Sequence, residues 1–553
     1  MSDIVRRLPT ARLTPQQAAR SRTIAGLGAF CLILLLLVFA METLARVGVP
    51  YPILAWIVAA FALGAPAIVA ISAPTMSARI FAVAAREVPV ANSTMAGVAA
   101  LFGSVFAIGL GAAFFRSEAE MSALAIGLCG GIFASGVLIA PYVRRSSAAS
   151  LGDFLAGRFG GRAIPGLVAI ALIAAVAPML TAELSLFGMI GAARLGIGPG
   201  SAVTLAAVLI VVPPLLGGMR GVTTAAILQF ILLFAALVAT SIFMSQAVTG
   251  SPLPFFGYAV AIAGGAPIPA TGTAQSVWQS AGLAFSVMLG IAAFPTLLAR
   301  AATTPSSRAA RMSIAWTLLF TAVLCVAAAS IAAIAFHLDR TINPEIAPFI
   351  AAERVGAPPF VGMLLTAGCF AASLSAGSLL LLVGARAFGH DFVFRFALPG
   401  LPMSRRLLVQ RAGLVAGAIT AAKVALNPPA DYLTLALAGL SLSASGLLPV
   451  LLLAVWWRRA NRAGALTGML VGLAISAYVA CAGLYDARLF EPLDKAGLKE
   501  LAMTLGVERI ALVAAPAALL VAMLVSLATR APAPEQRSFA EALFSPRDIV
   551  ADD

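Results

Sequence analysis

The chain has 553 residues, of which 61% are hydrophobic and only 10% charged, and its mean hydropathy is +1.01. Soluble globular proteins carry about 25% charged residues, so the composition excludes a soluble protein and indicates an integral membrane protein. The net charge of +14 does not indicate a nucleic-acid partner, because no run of Lys and Arg interleaved with aromatic residues lies outside the apolar segments.

Apolar windows of about 20 residues predict an all-α polytopic membrane protein with roughly fourteen spanning helices. The predicted spans are 24–45, 52–73, 93–115, 122–143, 163–190, 199–216, 223–246, 279–299, 313–336, 359–387, 411–426, 433–457, 464–482 and 510–528. The first span follows a basic stretch and is too long for the core of a signal peptide, so we interpret it as a retained helix.

The arginines concentrate on alternate loops, which predicts a bacterial-type inner membrane protein with both termini in the cytoplasm. On the opposite side, the 247–278 loop has no Lys or Arg and is rich in Pro and Gly. It is interpreted either as an extracytoplasmic re-entrant or lid segment or as a plain connecting loop.

The chemistry of an enzyme or a metal site is not expected. The five cysteines are widely separated, and His337 and His390 are the only histidines, so no metal-ligand spacing or disulfide framework follows. The spans also lack a pair of groups for acid-base work. We therefore expect no cofactor and no metal beyond a possible Na⁺.

Glycines interrupt the apolar segment 91–115, at positions 97, 103, 109 and 111, and Ser104 lies at its middle. Backbone freed by an unwound turn is tolerated in a membrane only where protein or a water-filled cavity satisfies it. The pattern indicates a binding site at half depth, and close helix packing through small residues explains it equally well.

Glu183 is the acid that lies deepest in a predicted span, within 163–190. Placing an ionised carboxylate in hydrocarbon costs about 2.5–3.5 kcal/mol on insertion scales, so the side chain should face the bundle interior. It is a candidate for proton coupling or cation binding. The alternatives are a neutral acid hydrogen-bonded near Thr181 or Ser185, or an acid that reaches water at the outer interface.

Five stretches in order resemble the sodium:solute symporter family. They are IFAVAAREVPVANSTMAGVAALFGSVFAIGLG from residue 80, SLGDFLAGRFGGR at 150–162, GGMRGVTTAAILQ at 217–229, FPTLLARAATTPSSRAARMS at 294–313 and GARAFGHDFV at 384–393. The last two are most similar to the acetate/glycolate permease branch.

The resemblance implies a LeuT-like core of two inverted five-helix repeats whose first helices, 93–115 and 279–299, are broken at the membrane midplane. Extra helices precede and follow the core. The predicted division is a cytoplasmic tail 1–23, peripheral helices 24–78, a first repeat 79–246, an extracytoplasmic loop 247–278, a second repeat 279–457, peripheral helices 458–528 and a cytoplasmic tail 529–553.

The resemblance also implies a cation site between the first broken helix and the 359–387 span. Sodium-dependent members commonly have Ser-Thr there; Ser375 matches the first hydroxyl and Ala376 replaces the second. The implied ligand set is Ala99, Phe102, Ala372, Ser375, Ala376 and Ser378. A carboxylate found in sodium–sugar members is replaced by Ala226, and the acetate-like branch tends to lack both features.

The implied solute is a small monocarboxylate such as acetate, driven by Na⁺ or H⁺. Its candidate binding residues are Gly103, Ser104, Phe106, Gly290, Thr223, Thr224 and Gln229, and the candidates for a cytoplasmic gate are Asp153, Arg158 and Asp391. The positive ends of half-helices suit an anionic solute. The partners are the solute and the lipid bilayer, a small membrane subunit being left open. The alternative function is an uncoupled uniporter or a solute sensor that keeps the fold.

Overall fold

The computed structural model describes residues 15–71, 74–254, 257–259, 274–485, 488, 491 and 499–544. Within these residues the fold is all-helical, without a β-strand. Twelve helices are long and apolar enough to cross a membrane, and a bent pair of shorter helices raises the number to 13. The predicted fold class is confirmed, whereas the predicted count of 14 is not. Half of the 247–278 loop, residues 255–256 and 260–273, lies outside the described residues.

The α-helices of the described residues are numbered in chain order. They are α1 (Pro15–Arg46), α2 (Tyr51–Ile71), α3 (Ala78–Val83), α4 (Val90–Arg116), α5 (Glu118–Leu138), α6 (Ala140–Arg145), α7 (Leu151–Phe159), α8 (Ala163–Leu195), α9 (Pro199–Thr249), α10 (Ala274–Ala292), α11 (Pro295–Ala301), α12 (Ser307–Leu338), α13 (Ala347–Arg354), α14 (Pro359–Arg386), α15 (Met403–Leu426), α16 (Tyr432–Gly446), α17 (Leu448–Trp456), α18 (Arg462–Leu484), α19 (Lys499–Arg509), α20 (Ala511–Ala528) and α21 (Pro534–Ala542). A π-helical stretch, Ala387–Ala397, continues α14.

The difference in the helix count comes from α9, which is 51 residues long but bends sharply at Gly218. Gly218 has φ +55° and ψ −138°, a conformation that favours glycine. A Cβ at Gly221 would lie 2.4 Å from the carbonyl oxygen of Pro213, although residues eight apart in a straight helix are separated by about 12 Å. Thus α9 corresponds to two predicted spans, 199–216 and 223–246, joined by a bend instead of a loop.

The core consists of two inverted halves, and the first helix of each half is interrupted. α4 breaks at Gly103, and α10 is followed after a 40° bend by α11, which begins at Pro295. The packing partners are exchanged between the halves: α4 contacts α12 and α10 contacts α5, while α8 contacts α16 and α14 contacts α9. Inverted repeats produce this exchange, and it brings both breaks into the middle of the bundle.

Burial separates the core from the lipid-facing helices. The apolar window of α4 is 94% buried, whereas α1 exposes Leu35 and Phe39 by about two thirds. Apolar side chains exposed on a long helix are expected where the surrounding solvent is lipid. At the face predicted to be cytoplasmic, the short α21 packs against α7 through Phe539 and Phe154, whose ring centroids are 6.2 Å apart. The predicted C-terminal tail therefore includes a docked helix.

Candidate functional site

The break in α4 is centred on Gly103, which has φ +54° and ψ −176°. Residues with a Cβ avoid this conformation. A Cβ at this position would also lie 2.0 Å from Oε1 of Glu183 and 3.2 Å from the Cβ of Ala376. The glycine therefore provides the space that the Glu183 carboxylate occupies.

Glu183, on α8, caps the half-helix that begins after the break. Its Oε2 accepts hydrogen bonds from the backbone N–H of Ser104 (3.1 Å) and from the Ser104 hydroxyl (2.6 Å), and its Oε1 accepts a longer one from the N–H of Val105 (3.4 Å). Free N–H groups and the helix dipole make such a terminus favourable for a negative charge. Glu183 thus holds the position where a half-helix would otherwise bind an anion.

The environment of Glu183 is entirely protein. The residue is 0% exposed, and Ser373 of α14 donates a hydrogen bond to its backbone carbonyl (2.7 Å). The expected interior orientation is therefore present. The hydroxyl of Thr181 is not a partner, because it donates to the carbonyl of Ala177 (3.0 Å). Glu183 joins α4, α8 and α14 at one point.

The six candidate cation ligands are all buried, on α4 and α14. The hydroxyl of Ser375 has no hydrogen-bond partner in the described part of the chain. Ser378 donates to the carbonyl of Ile210 (3.0 Å), which holds its side chain against α9. A buried hydroxyl oxygen without a partner loses free energy unless a ligand satisfies it. Ser375 is thus the candidate side chain whose oxygen is available to a cation.

The candidate solute ligands fall into two groups. Gly103, Ser104 and Phe106 lie at or just after the break in α4, and the Phe106 ring packs near that of Phe102, with centroids 6.4 Å apart. The second group lies on α9 after its bend, where Thr223 and Gln229 are buried and Thr224 is partly exposed.

Gly290 belongs to neither group. A Cβ there would lie 2.6 Å from the backbone oxygen of Leu440, so this glycine allows α10 to approach α16 closely. The second break lies further along, at the two residues before Pro295. Proline lacks the N–H that would continue the helix, which explains the position of the bend.

At the face predicted to be cytoplasmic, Asp153 binds His390 (Oδ2 to Nε2, 2.9 Å) and Arg395 (Oδ1 to Nη2, 2.5 Å). Burial raises the pKa of Asp153, but the hydrogen bonds and charges of His390 and Arg395 outweigh burial and lower the pKa to about 2. Asp391 accepts a hydrogen bond from Ser150 (2.6 Å).

Asp153, His390 and Asp391 bring their ligand atoms within 4.8 Å of one another, which is close enough for a metal ion. However, both oxygens of Asp153 are already engaged, one of them by the cation of Arg395. An adjacent positive charge opposes a metal ion, so we interpret the cluster as a salt-bridge network between α7 and the π-helical stretch.

Arg158, the third gate candidate, is not part of this network and does not pair with Asp153. Its guanidinium donates to the carbonyls of Ala454 (3.1 Å), Trp457 (3.1 Å) and Arg458 (3.3 Å), at the C-terminus of α17. Burial lowers the pKa of Arg158 to about 10.

Sequence reasoning missed the burial of Arg300 of α11, which it treated as one of the arginines that set orientation. The residue is 3% exposed, and its Nη1 donates to the hydroxyl of Thr223 (2.7 Å). Its burial could have been inferred from its position inside the apolar stretch FPTLLARAA at 294–302. An arginine that faces water would be expected outside such a stretch.

A small cavity of about 40 Å³ lies between α7, α11 and the end of α14, lined among others by Pro295, Arg386 and Asp391. This volume accommodates only one or a few water molecules. A much larger cleft of about 690 Å³ opens at Tyr51, Arg194 and Glu353, far along α8 from Glu183. At the break in α4 itself, Gly103, Ser104 and Glu183 are all buried.

The chain matches one family model and several known proteins. The model of the family described as "Sodium:solute symporter family" matches residues 81–472. An uncharacterized symporter of Cupriavidus necator is 24% identical over 548 residues, covering 72% of this chain and 80% of the relative. The sodium/proline symporter of Escherichia coli is 25% identical over 415 residues, 69% of this chain and 78% of the relative.

The monocarboxylic acid transporter of Corynebacterium glutamicum is 26% identical over 291 residues, 47% of this chain and 51% of the relative. Among solved structures, the substrate-bound outward-open state of a Na⁺-coupled sialic acid symporter matches with a TM-score of 0.71 at 15% identity. That match covers 87% of this chain and 98% of the solved one, and it establishes the fold.

Proposed function

The chain belongs to the sodium:solute symporter family, and on that premise we propose that it carries a small monocarboxylate across the membrane by alternating access, coupled to Na⁺. The family and the fold support cation-coupled symport of a small solute. We infer a carboxylate group on the solute from the acetate-like motifs and from two relatives, since proline and monocarboxylic acids share this group.

The observation that carries the proposal is the convergence of Glu183 and Ala376 on Gly103. A Cβ at Gly103 would contact Oε1 of Glu183 and the Cβ of Ala376 at once, so both lie beside the same turn of backbone. Ala376 is the position where the resemblance implies a missing hydroxyl ligand. A carboxylate next to this position supplies negative charge to a cation held between α4 and α14.

Ser375 completes the proposed site. Its hydroxyl is buried without a partner, and it precedes Ala376 on the helix that packs against the break. A hard cation such as Na⁺ satisfies orphaned oxygens, and the nearby charge of Glu183 offsets part of the desolvation of the ion. We therefore assign Glu183 to charge compensation at the cation site and Ser375 to direct coordination.

The test is solute accumulation in proteoliposomes with Na⁺ and H⁺ gradients imposed separately. Radiolabelled acetate, pyruvate and proline serve as probes. The proposal predicts that an inward Na⁺ gradient drives at least one carboxylate above its equilibrium level and that a proton gradient alone does not. Accumulation driven only by the proton gradient would transfer coupling to protons and overturn the assignment to Na⁺.

A second candidate is an uncoupled uniporter or sensor, favoured by the surroundings of Ala226. This residue is 0% exposed and lies in an apolar cluster with Ala96 and Ile227. Alanine therefore occupies the position where sodium–sugar members have a carboxylate. Counterflow and gradient-driven uptake distinguish these functions. A uniporter exchanges labelled solute in counterflow but does not accumulate it under an ion gradient, and a sensor does neither.

A further inference from the structure

Arg300 is a buried cation for which the transport cycle described above has no use. It lies in the last turn of α11, just after the second break, and only 3% of its surface is exposed. Arginine keeps its charge in proteins, and a charge in a low-dielectric interior requires partners.

The partners of Arg300 are incomplete. Its Nη1 donates to the Thr223 hydroxyl (2.7 Å), while its Nε and Nη2 are buried without a hydrogen-bond partner in the described chain. No carboxylate among the described residues pairs with it. Two buried donor groups and a full positive charge are therefore uncompensated in this conformation.

Arg300 differs from two other buried arginines, because Arg158 (Nη1) and Arg386 (Nε) each leave one nitrogen without a partner, whereas Arg300 leaves two. Arg158 donates to three carbonyls at the end of α17, and Arg386 donates to the carbonyls of Ala82 and Ala149. Those two side chains tie segments together through backbone acceptors. Arg300 instead contacts one hydroxyl, on the helix that carries the second group of candidate solute ligands.

The chemistry of the free edge is specific. Nε and Nη2 form the side of the guanidinium whose two N–H bonds are parallel, and this edge matches the two oxygens of a carboxylate. The N-terminus of the half-helix in α4 is not available for the same purpose, because Glu183 already caps it. An anionic solute needs a different positive group.

We propose that Arg300 and Thr223 form a carboxylate-binding subsite on the half of the pathway predicted to face the cytoplasm. The inference rests on the proposed function and names the group that the solute presents there. The free edge of Arg300 is closed off in this conformation, so the carboxylate reaches it when the inner side opens. The subsite receives the solute after it leaves the region of Glu183 and Ser375.

Arg300→Lys keeps a positive charge but removes the planar fork, and Arg300→Met removes both. Arg308→Met, eight residues later at the exposed start of α12, is the matched control. Two properties are measured: thermal stabilisation of the purified protein by pyruvate against its neutral analogue pyruvamide, and the KM for pyruvate from each face of oriented proteoliposomes.

Pyruvate should stabilise Arg300→Met less than it stabilises the wild type and Arg308→Met, and pyruvamide should stabilise none of them. In Arg300→Lys the KM at the inner face should rise about 10- to 100-fold, the loss expected for one charge-assisted hydrogen bond, with the outer KM unchanged. Without ligand, Arg300→Met should be at least as thermostable as the wild type, because it removes an unpaired buried charge.

Equal stabilisation of wild type and Arg300→Met by pyruvate, or an unchanged inner KM, would overturn the subsite. A fall in the ligand-free Tm of Arg300→Met would assign the residue a purely structural role. Failure of symport is distinguishable: carboxylate stabilisation that depends on Arg300, without accumulation under any gradient, would keep the subsite and remove the proposed coupling.

Discussion

Replacing Glu183 by glutamine tests the junction on which the proposed mechanism depends. The substitution keeps the size of the side chain but removes its charge and one acceptor oxygen. The remaining oxygen can accept from the backbone and hydroxyl of Ser104, while the new amide faces the N–H of Val105, donor against donor.

The size of the effect follows from these contacts. A hydrogen bond to a charged group contributes about 1.5–3 kcal/mol, and a negative charge at a helix N-terminus contributes up to about 2 kcal/mol in a partly buried geometry. We expect Glu183→Gln to lower the free energy of unfolding by about 2–4 kcal/mol, on the same principles. Na⁺ bound at the proposed site should raise the Tm of the wild type, and Glu183→Gln should abolish this rise.

Thermal unfolding in detergent with and without Na⁺ measures both effects, and gradient-driven uptake is measured on the same preparations. Ser104→Ala is the matched partner, because it removes the 2.6 Å bond and leaves the carboxylate. The double variant should lose less stability than the sum of the single losses, since the two residues interact directly. Unchanged stability, Na⁺ response and uptake in Glu183→Gln would refute the role given to the carboxylate.

Three further substitutions test neighbouring parts of the account. Gly103→Ala should destabilise the protein more than Glu183→Gln, because its backbone conformation costs about 1–3 kcal/mol with a Cβ and the methyl group would displace the carboxylate, and thermal unfolding measures this. Ser375→Ala should raise the half-saturating Na⁺ concentration for uptake about tenfold, the loss of one ligand. Asp153→Asn should lower the free energy of unfolding at pH 7 by on the order of 2 kcal/mol, since the folded pKa of about 2 lies below the unfolded value. This stabilisation is present above about pH 4 and is lost as the pH falls towards 2, which unfolding at several pH values measures.

Matched controls exist for these variants. Gly64, inside α2, has nothing within 4 Å of a Cβ, so Gly64→Ala should not lower the Tm of the protein. Thr366, on the same helix as Ser375, bonds only to the Gly362 carbonyl, so Thr366→Val should leave the Na⁺ dependence unchanged. Equal Na⁺ dependence in Ser375→Ala and wild type would contradict direct coordination, and a pH-independent difference between Asp153→Asn and wild type would contradict the ion-pair account.

The broken helix was predictable because an interruption leaves a local signature of small residues in an apolar span. The position of the break was not, since four glycines lie in that span and only Gly103 faces the carboxylate of Glu183. For the second break, Gly290 and Pro295 were equally visible in the sequence. Packing against α16 accounts for Gly290, and the bend belongs to Pro295.

Pairings across long sequence separations were not accessible. Asp153 binds His390, 237 positions away, rather than the nearby Arg158. The burial of Arg300 also depends on how α11 packs after the bend that separates it from α10. Hydropathy does not reveal this packing. Patterns within one helix were therefore readable from the sequence, whereas the partners of charged side chains required the fold.

Equilibrium binding of radioactive ²²Na⁺ to the purified protein tests the central claim most directly, with and without pyruvate. The account predicts saturable binding to the wild type that pyruvate tightens, and loss of this binding in both Glu183→Gln and Ser375→Ala. Saturable binding of equal affinity in wild type and Glu183→Gln, or no saturable binding to the wild type in the presence of pyruvate, would contradict it.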